Sequence, residues 1–127
     1  MNAPLERVMM VEDDNDIRTV AGMALEMVGG LKVLACESGA VALAAVKDFA
    51  PQLVLLDVMM PGMSGPEVLK ALRRDPQTAG LPVVFMTASV QTAELQELRK
   101  LGALEVIAKP FDPMTLADQV KAIWARA

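Results

Sequence analysis

The chain has no histidine and no tyrosine, one cysteine, three phenylalanines and one tryptophan. Without histidine it lacks the commonest general base, the usual zinc ligand and any His-borne phosphoryl group. The single cysteine, Cys36, cannot close an internal disulfide; it fits a reducing compartment and reads as a small apolar strand residue. Basic residues are outnumbered, with 12 Lys and Arg against 16 Asp and Glu, a formal charge of −4. That balance argues against a direct nucleic-acid surface, which needs basic patches. No apolar run approaches the roughly 20 residues that span a bilayer. The opening MNAPLERV carries no apolar signal-peptide core, and no repeat, low-complexity segment or interdomain linker is visible. These absences predict one cytoplasmic domain over residues 1–127.

What is abundant is aliphatic: 54% of the residues are hydrophobic, ten of them Met. A chain of 127 residues can bury roughly two-thirds of its unfolded surface, so the core is built from Val, Leu, Ile, Ala and Met. Short, nearly continuous apolar runs at Arg7–Val11, Leu31–Ala35, Leu53–Leu56, Pro82–Met86 and Leu104–Ala108 read as buried parallel strands. Helical patterns lie between them at about 15–28, 39–49, 65–74, 91–101 and 113–126. Gly29, Gly30 and Gly102 mark helix stops, and Ser64 with Glu67 has capping-box spacing beside Pro66. Asp112-Pro113 is a further start signal. The alternation predicts an α/β fold, a doubly wound five-stranded parallel sheet with five helices. The flavodoxin-like order 2-1-3-4-5 is natural if the second strand, which ends in Cys36-Glu37-Ser38-Gly39 with no comparable polar group, is the outer one.

Polar residues gather at one edge of that sheet. Glu12, Asp13 and Asp14 follow the first strand, Asp57 the third, Thr87 the fourth and Lys109 the fifth. Ligand sites of open parallel sheets form at the carboxyl ends of strands, where strand order reverses. Singly, each residue has an ordinary explanation. Acids at 12–14 cap a helix, a strand-end hydroxyl bonds backbone, and a lysine is usually solvated. Asp57 resists that treatment, because it ends the apolar run Leu53–Leu56, where an unpaired charge is costly. Together the carboxylates repel one another unless a cation lies between them. Magnesium, an oxygen-seeking ion that shares its sites with phosphate, fits such a set better than zinc or copper. A carboxylate beside that ion can attack phosphorus and form an acyl phosphate, with Lys109 and Thr87 stabilising the transferred oxygens.

The stretches Val11-Glu12-Asp13-Asp14, Leu55–Gly65, Val83–Ala88, Gly102-Ala103 and Lys109-Pro110-Phe111 resemble the receiver domains of two-component response regulators, chemotaxis-regulator-like, over essentially the whole chain. The resemblance implies that Asp57 is the phosphoacceptor and that Glu12, Asp13, Asp57 and the Met59 backbone carbonyl hold magnesium. It implies phosphoryl contacts from Thr87 and Lys109 and a cis Lys109–Pro110 bond. The donor would be a histidine kinase or His-phosphotransfer protein, and the output a protein target bound by the fourth helix, fifth strand and fifth helix. Such a chain is a switch that catalyses its own phosphorylation and dephosphorylation, as a monomer or a phosphorylation-dependent dimer. Met59 and Ser89 would flank the approach of hydrolytic water, and Met59→Asn is expected to speed dephosphorylation. One position departs from the pattern: where the family often carries a rotating aromatic, this chain has Val106, so switching must rest on Thr87, Lys109 and the Ala88–Gln91 backbone.

Competing readings fail on particular residues. A haloacid-dehalogenase-like phosphatase or a toprim-type domain needs an acid two residues after the nucleophile, where Met59 stands. A flavodoxin-like binding module needs a phosphate loop and stacking aromatics where this chain places acids. A stand-alone regulator is expected; the alternative is the receiver portion of a larger response regulator or hybrid kinase.

Overall fold

The computed structural model describes residues 3–89 and 91–127; Met1, Asn2 and Val90 lie outside it, and with them part of the N-terminal and Ala88–Gln91 expectations. The strands are β1 (Arg7–Val11), β2 (Lys32–Cys36), β3 (Leu53–Asp57), β4 (Val83–Thr87) and β5 (Glu105–Ala108). The helices are α1 (Asn15–Met23), α2 (Gly39–Phe49), α3 (Gly65–Arg74), α4 (Thr92–Lys100) and α5 (Leu116–Arg126). All strands are parallel, in the expected order β2-β1-β3-β4-β5.

Side chains alternate strictly through the sheet, as a period of two requires. Val8, Met10, Leu53, Leu55, Val84 and Met86 face α1, the turn that continues it and α5, where Ala21, Leu25, Leu116 and Val120 meet them. Met9, Val11, Val54, Leu56, Val83 and Phe85 face the other way, onto Ala42, Val46, Val68, Leu69 and Leu98 of α2, α3 and α4. Because helices cover both faces, every residue of β3 and β4 is buried. That is why those strands read as unbroken apolar runs.

Several boundaries differ from the sequence reading. Asp57 and Thr87 are the last ladder residues of their strands rather than the first loop residues, since Asp57 pairs with Met86 and Thr87 with Ala108. Backbone pairing is indifferent to side-chain polarity, so each apolar run stops one residue short of the end of its strand. Strand β4 starts at Val83 because Pro82 has no N–H to give, although its carbonyl accepts from Val54 N–H at 2.9 Å. The first helix does not run evenly to residue 28. Its last stretch, Ala24–Val28, is π-helical, closed by Gly29 N–H to Ala24 O at 3.2 Å. Gly30 (φ +68°) and Gly102 (φ +102°) then end the first and fourth helices as expected.

The Ser64–Glu67 capping box is formed on both sides, at 3.1 and 3.3 Å. The Asp112-Pro113 signal works one turn early. Asp112 accepts from Met114 N–H through its side chain and from Thr115 and Leu116 N–H through its carbonyl, so α5 itself begins at Leu116 instead of 113. Among the described residues no helix is long and apolar enough to cross a membrane.

Candidate functional site

The site lies where the chain steps outward from β1 to β2 and then back across to β3. Register dictates its layout. Val11 pairs with Leu56, so the next residues, Glu12 and Asp57, emerge side by side at the crevice. Glu12 stays tied to the edge strand through its N–H to Cys36 O at 3.0 Å, and Lys109 to β4 through its N–H to Thr87 O at 2.8 Å. Glu12, Asp57 and Thr87 are 1%, 4% and 5% exposed. With Asp13, Met59 and Lys109 they line one cleft of about 230 Å³.

Lys109 organises the interior of that cleft. Its ammonium lies 2.5 Å from Glu12 Oε1 and 2.9 Å from Asp57 Oδ1. Burial disfavours the Lys109 charge, but the two carboxylates outweigh burial and hold its pKa above the ordinary value. Glu12 is pushed up to about 7, by burial first and also by the neighbouring Asp57, against the lowering effects of Lys109 and the Asp14 N–H. That N–H donates to Glu12 Oε2 at 3.2 Å.

The three consecutive acids have separate tasks. Asp14 is the N-cap of α1, accepting from Asp16 and Ile17 N–H at 2.9 and 3.0 Å. Asp13 turns to the cleft: one oxygen each from Glu12, Asp13 and Asp57 lie within 4.8 Å of one another. These three carboxylates and Lys109 leave an excess of two negative charges when all are ionised. All the ligand atoms are hard oxygens, so the set suits a divalent, oxygen-preferring ion such as magnesium. Thr87 Oγ1 accepts from Ser89 N–H at 3.0 Å, a contact that uses its lone pair and not its proton.

The loop between β3 and α3 is held close by Gly65. A Cβ there would stand 2.4 Å from Asp57 O, and the Gly65 N–H donates to Val58 O at 2.9 Å. The Lys109–Pro110 bond is cis. Val106 is half-buried against the α2–α3–α4 side of the core, with no ring to turn.

Sequence reasoning missed three supporting contacts. Arg18 donates to Glu12 O and Asp13 O at 2.8 and 3.3 Å, steadying the acidic turn from the first helix. Ser89 donates to the Glu94 carboxylate, joining the β4–α4 loop to α4. Arg99 reaches Glu105 at 2.9 Å, linking α4 to β5. Their sequence signal is weak, since isolated charged and hydroxyl residues in a helix or loop look like solvated surface.

A doubly wound sheet with clustered acids, a hydroxyl and a partly buried lysine at its carboxyl edge defines a class of α/β domains. Within that class the chain belongs to the response regulator receiver domain family, whose model matches residues 8–121. It is 36% identical over 119 residues to the phosphate regulon transcriptional regulatory protein PhoB of Pseudomonas aeruginosa, covering 94% of this chain and 52% of that protein. It is 35% identical over 122 residues to the DNA-binding response regulator MtrA of Mycobacterium tuberculosis, covering 96% and 52%. The chain thus spans about half the length of the curated relatives it matches. Among solved structures, the chemotaxis protein CheY4 of Vibrio cholerae aligns with a TM-score of 0.85 at 29% identity, covering 94% of this chain and 98% of that one. The receiver domain of Francisella response regulator 1452 aligns at 0.84 and 26%, covering 95% and 98%.

Proposed function

We propose that this receiver domain takes a phosphoryl group onto Asp57 from the phosphohistidine of a histidine kinase or His-phosphotransfer protein. The observation that carries this reading is the Lys109 ammonium bridging the buried carboxylates of Glu12 and Asp57 in an acidic cleft. An Asp57 carboxylate oxygen attacks phosphorus, the P–N bond to the donor imidazole breaks, and the imidazole keeps the electron pair. Lys109 and the Thr87 hydroxyl then donate to the phosphoryl oxygens. Glu12, Asp13, Asp57 and the Met59 backbone carbonyl are the residues that would hold magnesium, which when bound neutralises charge between the carboxylates and the incoming phosphoryl group.

The domain is read as residues 1–127, and its output as a protein contact through α4, β5 and α5. Phosphorylation adds up to about two negative charges at the adjoining edge, which a partner can distinguish. The half-length match to PhoB and MtrA favours a second reading, in which the same domain serves a longer regulator with a DNA-binding portion. Intact-mass measurement with acetyl phosphate, with and without magnesium, tests the phosphoacceptor reading. One added phosphoryl group that requires the metal supports it, and no gain under either condition refutes it.

A further inference from the structure

Met59 is 79% exposed, the most exposed of the large hydrophobic residues described. Met9, Met10 and Met86 are buried, and the neighbouring Met60 and Met63 pack against the α2–α3–α4 side of the core. Loop packing therefore does not account for Met59. Its position is also unusual, because it lines the same cleft as Asp57, Thr87 and Lys109, and a second, largely apolar cleft of about 500 Å³ running to Leu98 and Leu101.

We propose that Met59 is an oxidation site whose sulfoxide shortens the lifetime of the phosphorylated domain. The inference rests on Asp57 being the phosphoacceptor. The co-reactant is a peroxide. The thioether sulfur attacks one oxygen of hydrogen peroxide, the S–O bond forms as the O–O bond breaks, and the departing hydroxide takes up the proton of the attacked oxygen, leaving the sulfoxide and one water. Sulfur is oxidised by two electrons and the peroxide reduced by two.

The consequence follows from the change in hydrogen bonding. A thioether is a weak acceptor and cannot hold a water at the mouth of the cleft. A sulfoxide oxygen is a strong one, and it stands two residues from the acyl phosphate, on the open side of the site. Water held there is positioned to attack phosphorus and release Asp57 as the free carboxylate. The modification is reversible by methionine sulfoxide reductases, which makes it a reporter of oxidant level and not a terminal lesion.

The test uses the whole chain, phosphorylated with acetyl phosphate and magnesium, then freed of both donor and peroxide. Peptide mapping after limited peroxide should place Met59 among the first sulfoxides formed, well ahead of Met9, Met10 and Met86. The phosphoryl half-life, read by intact mass, should fall several-fold on oxidation and recover after enzymatic reduction. A Met23→Leu/Met27→Leu/Met114→Leu variant should keep this response, whereas in Met59→Leu the half-lives before and after peroxide should agree. An unchanged half-life in protein carrying Met59 sulfoxide overturns the proposal. So does a response that persists in Met59→Leu, or oxidation of the buried methionines first. Failure of the untreated chain to take up any phosphoryl group would instead overturn the assignment of Asp57, so the two failures are distinguishable.

Discussion

Lys109, at the end of the last strand, reaches back 97 positions in sequence to place its ammonium 2.5 Å from Glu12, at the end of the first. The same nitrogen contacts Asp57, so one cation spans the crevice between β1 and β3. Each of the three groups is costly to bury alone, and each is tolerated because of the others.

Removing the cation exposes that dependence. Lys109→Met should destabilise the metal-free chain by about 3–5 kcal/mol at neutral or higher pH, the range for a buried pair that loses one partner. Added magnesium should recover part of the loss. Urea unfolding with and without the ion measures both effects, and a loss below about 1 kcal/mol, the scale of surface ion pairs, would contradict the buried arrangement.

Glu12 should make the metal-free chain sensitive to alkali. Its pKa rises from 4.5 to about 7 on folding, so the folded state prefers the protonated acid. Stability from this group is complete below its unfolded pKa and is lost as pH rises toward and through 7. The melting temperature in EDTA should therefore fall between about pH 5 and pH 8, and Glu12→Gln should flatten that fall. A rising curve would show that Lys109 outweighs burial.

Asp57→Asn should abolish magnesium-dependent labelling by acetyl phosphate. Asp14 is occupied as a helix cap and Asp13 carries no hydrogen bond to Lys109, so neither can substitute. Labelling of the variant at close to the normal rate, read by intact mass, would sink the assignment.

Gly65→Ala should disturb the site without touching a charged group. The added methyl would stand 2.4 Å from Asp57 O and 2.9 Å from Val58 Cα, both backbone atoms that cannot swing aside. A loss of roughly 1–3 kcal/mol, the usual cost of overpacking, is expected. Amide shift changes should centre on residues 57–65; a neutral outcome in both measurements would mean the loop has slack.

The switch should run through the β4–α4 loop. Val106 is β-branched and nearly fixed in its rotamer, whereas Thr87, Ser89 and Glu94 form a hydrogen-bonded chain leading from the cleft into α4. A beryllofluoride mimic should give large amide shift changes at residues 57–63 and in the 87–92 stretch, whose Val90 lies outside the described residues, and smaller ones near Val106. The largest rearrangement at Val106 with a still loop would refute this. Moving such an equilibrium from mostly off to mostly on takes about 5 kcal/mol of differential stabilisation, expected from Thr87, Lys109 and the Ala88–Gln91 backbone.

By itself the sequence determined the five apolar strands and their alternation with helices, because hydrophobic period and helix caps are local signals. The sheet order was pointed to by the polar residues at four of the five strand ends. It also exposed Asp57 as anomalous, since a charge closing the run Leu53–Leu56 is visible without coordinates. Only the tertiary structure decided how the acids at 12–14 divide their work. Glu12 turns inward to Lys109, Asp13 to the cleft and Asp14 to the helix amides, a division set by where β1 ends and α1 begins. It likewise decided that Arg18, Ser89 and Glu94 support the site, through contacts that depend on loop paths. Local pattern records which side chains must be buried; which buried charge finds which partner is a property of strands brought together from opposite ends of the chain.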